Sequence, residues 1–317
     1  MKNPFSHSDK KHFFDLELGL SRKNDRNQKR IIEKDGRFNV KRVGISPFKI
    51  YNLYHILTTL HWFYFTLVLL ASYLLVNTLF AASYLFIGIE GLLSDSTLSM
   101  SEQFWETFFF SSQTLTTVGY GRISPLGMAA NWIAMIESML GLLLFAILTG
   151  LLYGRFSKPN INIEYSHNAI IAPFNEGKAL MFRLANVRRN QLIETEIKVV
   201  FSYIDPDNDS RKYHGLELNT SKINFFPLNW TIVHTIDEDS PLHDWEEKEF
   251  KNCDVEIMIL VKGHDDIYNQ TIHSRNSYRS QEILWGRRFL PMYYVDDEGR
   301  TMLELDKIDD IEKVKIT

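Results

Sequence analysis

SQTLTTVGYGRISP, residues 112–125, lies between two long apolar runs yet is itself polar, with three threonines, two glycines and a tyrosine. The run before it, Trp62 to Ile89, holds no charged residue, and the run after it, about Ala130 to Leu152, holds only Glu137. Each is long enough for an α-helix to cross hydrocarbon, which takes about 20 residues. The first begins too far along the chain, and runs too long, to be a secretory leader, so it reads as retained. In a chain of 317 residues with formal net charge −4, charge is concentrated outside those two runs. The sequence therefore reads as an integral membrane protein with two spans, and the polar stretch between them needs an explanation at membrane depth.

The flanks orient the spans. Lys41, Arg42 and Lys49 precede the first, and Arg155 and Lys158 follow the second. The connecting segment has Glu90, Asp95, Glu102 and Glu106 against Arg122 alone. Positive charge on the outer flanks places both termini in the cytoplasm, for a multi-pass protein of the cell (inner) membrane. The single Cys253 then lies on the cytoplasmic side, has no intrachain disulfide partner, and reads as a buried structural thiol.

SMSEQFWETFFFSSQT, residues 99–114, reads as a short amphipathic helix, with Ser99 and Glu102 at capping-box spacing. It is too short to span, so it is expected to be re-entrant. The stretch after it, residues 116–121, is then non-helical backbone at membrane depth, which is tolerated only where protein buries it or where it lines a polar path. Gly119 and Gly121 can adopt positive φ at no steric cost. Alternating handedness turns successive carbonyls to one side, and a column of carbonyl oxygens can replace the water around a potassium ion. The expected ligands are the carbonyls of Thr117, Val118, Gly119 and Tyr120 and the Thr117 hydroxyl, with Gly121 closing the loop. The preceding helix would aim its partly negative C-terminus at the ion path. One chain offers one wall, so several copies must surround the axis. TVGYG in this setting resembles the filter of potassium channels, which carry four such loops.

No Arg-rich sensor helix accompanies the spans, and no G-x-G-x-x-G follows residue 158 to mark a Rossmann-like regulatory unit. Instead Ile193, Thr195, Ile197, Val199 and Phe201 alternate with Glu194, Glu196, Lys198 and Ser202, and DPDND, residues 205–209, reads as a turn. KALMFRLANV, NWTIVHTI and CDVEIMILV add further strands. The expectation is an all-β immunoglobulin-like sandwich after a two-span α-helical pore.

KDGRFNV, FFFSSQTLTTVGYG, GRFSKP, MFRLANVRRNQLIE, HTIDEDSPL and SYRSQEILWGRRF, taken together, resemble the inward-rectifier potassium channel family, particularly its bacterial (KirBac) branch. The resemblance runs from about Glu33 nearly to the end of the chain. It implies a potassium-selective homotetramer with an interfacial slide helix. The expected layout is a cytoplasmic segment at 1–46, the slide helix at 47–60 (Pro47 to Leu60, with Ile50, Leu53, Tyr54 and Leu57 on one face), the pore at 61–158 and a cytoplasmic β-sandwich at 159–317.

Residue by residue, the resemblance also marks departures. Phe145 stands where strong rectifiers carry a pore-lining acid, so strong rectification is not expected. Glu194 matches an acidic position of the cytoplasmic pore, whereas Lys262 replaces another. Gln113 stands where eukaryotic members carry a Glu paired with an Arg just beyond the filter; Arg122 follows the filter directly, so that ion pair is not expected, and Gln113 is left to hydrogen-bond the filter's rear. Arg155 and Lys158 match two positions that contact anionic lipid, but Asn160 and Ile161 do not continue the basic cluster. Tyr153 matches a bulky constriction on the inner helix and shares an i, i+4, i+8 stripe with Phe145 and Thr149. Gly141 and Gly150 serve either as flex points or as close-packing sites. Glu137 is either a protonated hydrogen-bonding acid or a charge that tunes the pore cavity. A loop gate is expected at about Gly263 to Ile272, including His264, Asn269, Gln270 and Thr271. No nucleophile–base pair suggests an enzyme, and no cofactor or nucleic-acid partner is expected beyond the permeant K+ and membrane lipid. The rival reading is a membrane-anchored sensor with a vestigial, non-conducting pore.

Overall fold

The computed structural model describes residues 30–41, 43–44, 50–88, 92, 98–157, 163–188, 191–207 and 209–315. Of the residues singled out above, Arg42, Pro47, Lys49, Ile89, Glu90, Asp95, Lys158, Asn160, Ile161 and Asn208 lie outside these, and of Ile50 only the backbone is described. The chain divides into a helical unit, Gly44–Lys158, and a β-rich unit that joins Pro159–Thr317 to the residues before Gly44.

The helical unit contains α1 (Ile50–Thr59), α2 (Trp62–Ile87), α3 (Met100–Leu115) and α4 (Gly127–Phe156). At about 1.5 Å per residue, the 26 residues of α2 and the 30 of α4 both exceed the roughly 30 Å of hydrocarbon, whereas the 16 of α3 do not. The two spans are apolar along most of their length and leave most of their side chains uncovered by their own chain. Helix α4 extends past the apolar run at both ends, because hydropathy marks the hydrocarbon-embedded part of a helix and not its termini.

The β-rich unit is a sandwich of two five-stranded sheets. In the first, β3 (Gly177–Asn186) is flanked by β7 (Asn229–Ile236) on one side and by β1 (Ile163–Tyr165) and β2 (Ala169–Phe174) on the other; β10 (Ile283–Trp285) joins β2 in parallel. In the second, β4 (Leu192–Ile204) is flanked by β8 (Glu256–Asp265) on one side and by β5 (Arg211–Leu216) and β6 (Lys222–Phe225) on the other; β9 (Gln270–Arg279) pairs β8. Leu180, Phe182, Leu184 and Ile232 of one sheet share a core with Ile197, Phe201, Ile257 and Ile259 of the other. Trp245 closes one side, edge-on to Phe201 at 5.0 Å and to Tyr203 at 4.8 Å. The helix α5 (Glu247–Asn252) ends at Cys253, so β8 starts at Glu256, later than its apolar pattern predicts. Burial first, then the nearby Glu249 and Asp205, push the Cys253 thiol up to about 11, as suits an inert structural cysteine. Asp205 makes the expected turn by accepting the Asp207 N–H on its carboxylate at 3.1 Å and the Asp209 N–H on its carbonyl at 2.9 Å.

Along β4 the alternation holds between Thr195 and Val199, but Ser202 is fully buried where exposure was expected. The Arg211 guanidinium donates to its hydroxyl at 2.8 Å, and Val200 on the same face lies under a further cover. Residues 31–39 form a small hairpin, closed by an Ile32–Phe38 bridge, whose Ile31 and Ile32 pack on Val200 and Met258. The buried Glu256 carboxylate accepts the N–H groups of Ile31 (3.0 Å) and Ile32 (3.2 Å), and the Ser277 hydroxyl donates to the Ile32 carbonyl at 2.7 Å. Arg30 pairs with Glu282 at 2.5 Å. Burial alone would raise the Glu282 carboxyl, but the Arg279 N–H and the Arg30 and Lys34 cations outweigh it and hold the group below the usual range. Lys34, 3.3 Å from the same carboxylate, is itself pushed down, mainly by burial. KDGRFNV is thus the turn and return of a hairpin fastened by backbone donors to one buried acid. Replacing Glu256 by Ala leaves those donors unpaired, at a cost of about 1–3 kcal/mol. Tryptic cleavage after Arg37 in the purified protein should accelerate roughly 10- to 100-fold in Glu256→Ala, by the usual factor of ten per 1.4 kcal/mol, and not in the surface control Glu238→Ala.

Candidate functional site

Helix α3 starts at Ser99, whose backbone N–H donates to the Glu102 carboxylate at 2.9 Å, the return bond of a capping box. It ends in a cluster of backbone bonds. The Ser112 carbonyl accepts Thr116 N–H (3.1 Å), the Thr114 carbonyl accepts Thr117 N–H (3.1 Å), and the Gln113 carbonyl accepts both Val118 N–H (2.9 Å) and Gly119 N–H (3.3 Å). It is the backbone of Gln113 that holds the loop. Beyond this point φ is positive at every second residue, 63° at Thr117, 53° at Gly119 and 82° at Gly121. The two glycines take this conformation freely, but a β-branched threonine pays roughly 1–2 kcal/mol for it. That a third residue joins the alternation is invisible in the sequence, because nothing in the residue type favours it. Residues 116–122 are exposed within one chain, Tyr120 at 79 %. Arg122, past the loop, forms an ion pair back to Glu106 on α3, a tie between residues 16 apart that spacing alone does not indicate.

Behind α3, the side of the helix away from the loop's exposed face is gripped by both spans. Ser111 and Leu115, one turn apart on α3, meet Glu137 and Gly141, one turn apart on α4. The Ser111 hydroxyl is in hydrogen-bond contact with Glu137 Oε1 and lies 3.1 Å from Asn77 Oδ1 on α2. The Tyr84 hydroxyl donates to Glu137 Oε2 at 2.7 Å, and the Asn77 amide donates to the Tyr73 carbonyl at 2.7 Å. Tyr73 and Ser112 share a further hydroxyl pair at 2.5 Å. Tyr84, Asn77, Ser111 and Glu137 are all 0 % exposed, and Tyr84 is edge-on to Phe110 at 5.2 Å. Glu137 therefore points into packing between helices of its own chain and not onto an open face. At Gly141 a Cβ would stand 2.1 Å from the Leu115 carbonyl oxygen, so close approach requires glycine there, whereas nothing lies within 4 Å of the same position at Gly150.

Lower on α4, Phe145 and Tyr153 are exposed at 71 % and 74 %, and Thr149 between them bonds its hydroxyl to the Phe145 carbonyl at 2.9 Å. Arg155 turns toward α1: its guanidinium donates to the carbonyls of Leu57 (2.6 Å) and Leu60 (2.7 Å) and lies over the rings of Trp62 and Phe65 at 4.4 and 4.3 Å. A cation thereby caps the carbonyl end of α1. At Gly154 the Tyr54 hydroxyl would stand 2.6 Å from a Cβ, a second close contact between these two helices.

In the β-rich unit, Glu194 has φ 47° and sits in a bulge between Ile193 and Glu196, which leaves its carboxylate exposed. Lys262 is the cross-strand neighbour of Glu196. The expected loop at 263–272 is mostly a β-hairpin: Gly263 and His264 lie on β8, Gln270 and Thr271 on β9, and His264 pairs with Thr271 in register. Polar side chains hid the strands, since ladder bonds use only the backbone. The tip is held by Asp265, whose carboxylate accepts the N–H groups of Ile267 (3.0 Å) and Tyr268 (3.1 Å), and by Asn269, at φ 49°, whose side-chain oxygen is 3.2 Å from His264 Nε2.

A family profile for the "Inward rectifier potassium channel C-terminal domain" matches residues 163–317, and one for "Ion channel" matches residues 71–158. Inward rectifier potassium channel Kirbac3.1 of Paramagnetospirillum magnetotacticum is 34 % identical over 288 residues, covering 89 % of this chain and 95 % of that protein. The chain belongs to the inward rectifier potassium channel family. ATP-sensitive inward rectifier potassium channel 14 of Rattus norvegicus and of Mus musculus are each 28 % identical, over 296 and 295 residues, with 85 % of this chain and 67 % of each relative covered. The similarity is thus greater to this bacterial relative than to these mammalian ones. Membership makes this inward rectifier a membrane potassium channel and not an enzyme, with a two-span pore and a β-sandwich.

Gly141 and Gly150 of α4 should behave differently. Gly141→Ala drives a methyl into the Leu115 carbonyl, and overpacking of this kind costs typically 1–3 kcal/mol. Gly150→Ala meets open space and should be neutral. Thermal unfolding of the two purified variants in detergent checks the contrast; equal midpoints would contradict it.

Proposed function

We propose that four copies of this chain surround one axis and conduct K+ passively through the backbone carbonyls of Thr117, Val118, Gly119 and Tyr120, with the Thr117 hydroxyl at the inner end and Gly121 completing the loop. The observation that carries this reading is the alternating positive φ at Thr117, Gly119 and Gly121, in a loop fastened from behind and bare in front. Backbone of alternating handedness can present a file of oxygens in place of the hydration shell of the ion. The uncovered faces of both spans support assembly with other copies, since one chain cannot enclose a path.

In this reading Tyr153, with Thr149 and Phe145 above it, lines the inner end of the path, and four Tyr153 rings form a constriction. The β8–β9 hairpin around Gly263, His264, Asn269, Gln270 and Thr271 forms a second constriction, with Glu194 in the cytoplasmic path, where carboxylates concentrate cations. Both termini lie in the cytoplasm, in the cell membrane. Arg155, through the N–H groups it does not give to α1, and Lys158 meet anionic lipid. With Phe145 in place of an acid, the channel rectifies weakly. Layout follows function: a segment to residue 46, a slide helix at 47–60, the pore at 61–158 and the regulatory sandwich at 159–317.

Rubidium uptake into liposomes holding the purified protein and loaded with K+ tests conduction. Uptake blocked by barium and not competed by excess sodium is expected. Absence of uptake across lipid compositions and in Tyr153→Ala would favour the non-conducting sensor. Phe145→Asp should add a voltage-dependent block of outward current by internal magnesium or polyamine that the natural channel lacks.

A further inference from the structure

We propose that Glu137 is held as an uncharged carboxylic acid and acts as a positioning residue, its O–H completing a hydrogen-bond chain that bolts α3, and through it the loop at 117–121, to both spans. The argument is a count of hydrogens. The Asn77 amide nitrogen donates to the Tyr73 carbonyl at 2.7 Å, which orients the amide so that Oδ1 faces Ser111. Ser111 then has an acceptor on each side, Asn77 Oδ1 and Glu137 Oε1, but a hydroxyl has one hydrogen. Tyr84 supplies its only hydrogen to Oε2. With a carboxylate, one contact of Ser111 would set two lone pairs against each other. With a carboxylic acid, the chain closes: Glu137 O–H donates to Ser111, Ser111 to Asn77, Asn77 to Tyr73, and Tyr84 to Glu137.

The surroundings give the same answer independently. Glu137, Ser111, Asn77 and Tyr84 are 0 % exposed, and among the described residues no Lys, Arg or His forms an ion pair with Glu137. An unpaired carboxylate in such a place is costly, and a neutral acid is not. The position explains what the group does. Glu137 holds Ser111, Gly141 admits Leu115, and between those two contacts on α3 lies Gln113, whose carbonyl fastens Val118 and Gly119. A shift of α3 would carry that carbonyl, and the handedness of the loop, with it.

This inference rests on reading residues 117–121 as the conduction filter, and two measurements separate the two claims. Infrared difference spectra of the full-length protein against Glu137→Gln should contain a carboxylic-acid C=O band from the natural protein, which a carboxylate lacks; absence of that band overturns the inference whether or not the channel conducts. In the liposome assay, Glu137→Gln can donate and accept in the same places, so rubidium uptake and its resistance to sodium should stay within about twofold of the natural protein. Glu137→Ala, still assembled by size-exclusion chromatography, should lose about 10- to 100-fold in uptake or admit sodium, on the scale of misplacing a reacting group by about 1 Å. If Glu137→Gln failed as Glu137→Ala does, or if Glu137→Ala conducted normally, Glu137 would not be acting as a neutral positioning acid. A natural protein that is silent while the infrared band is present would count against the filter reading and leave the protonated acid standing.

Discussion

Backbone N–H and C=O groups cannot be left unpaired in hydrocarbon, and that constraint organises the helical unit. Two helices satisfy it internally. The loop after α3 cannot, because eleven consecutive residues, 116–126, are non-helical. The donors of residues 116–119 are taken up where the helix ends, with the carbonyls of Ser112, Gln113 and Thr114 receiving four N–H groups. In the proposed reading, with those donors tied to the helix behind, the carbonyls of the loop are left for the ion path, and the filter depends on where α3 is held.

That view gives a common purpose to contacts that otherwise look unrelated. Ser99 with Glu102 fixes where α3 begins, and Arg122 with Glu106 returns the chain to it beyond the loop. Tyr73, Asn77 and Tyr84 from one span and Glu137 and Gly141 from the other locate its last turns. These polar and close-approach contacts sit beside an apolar cluster in which Tyr84 and Phe80 of one span and Ile133 of the other pack with Phe110. In lipid the hydrophobic effect gives helices no preference for one another, so hydrogen bonds and small residues have to specify how they pack. Arg155 applies the same logic at the other end of α4, where it caps the carbonyls of Leu57 and Leu60.

The spans and most of the strands were legible in the sequence because burial leaves a trace: unbroken apolar runs for α2 and α4, alternation for β7 and part of β4, and a short, mostly apolar run for β3. The capping box at Ser99 and the turn at Asp205 were legible for a local reason, since their partners are two to four residues away. What escaped was set by backbone bonds that leave no mark on residue type, or by partners distant in sequence. Thr117 has no intrinsic preference for positive φ, and only the bonds to α3 put it there. Ser202 looks like an exposed strand residue until the Arg211 guanidinium is seen to donate to its hydroxyl. The direction Glu137 points follows from where Ser111 and Tyr84 come to lie, 26 and 53 residues before it. The hairpin at Gly263 to Ile272 reads as a loop because its strands are polar on both faces, and pairing of backbone leaves no mark on composition.

The central claim is that ions sit against the backbone of residues 117–121 at the axis of four chains. The direct measurement is anomalous X-ray scattering from crystals of the assembled channel grown in rubidium. The account predicts a file of anomalous peaks on a fourfold axis, level with the carbonyls of Thr117 to Tyr120. An ordered loop with no peaks along that axis, or chains assembled without a fourfold axis at Tyr120, would contradict it.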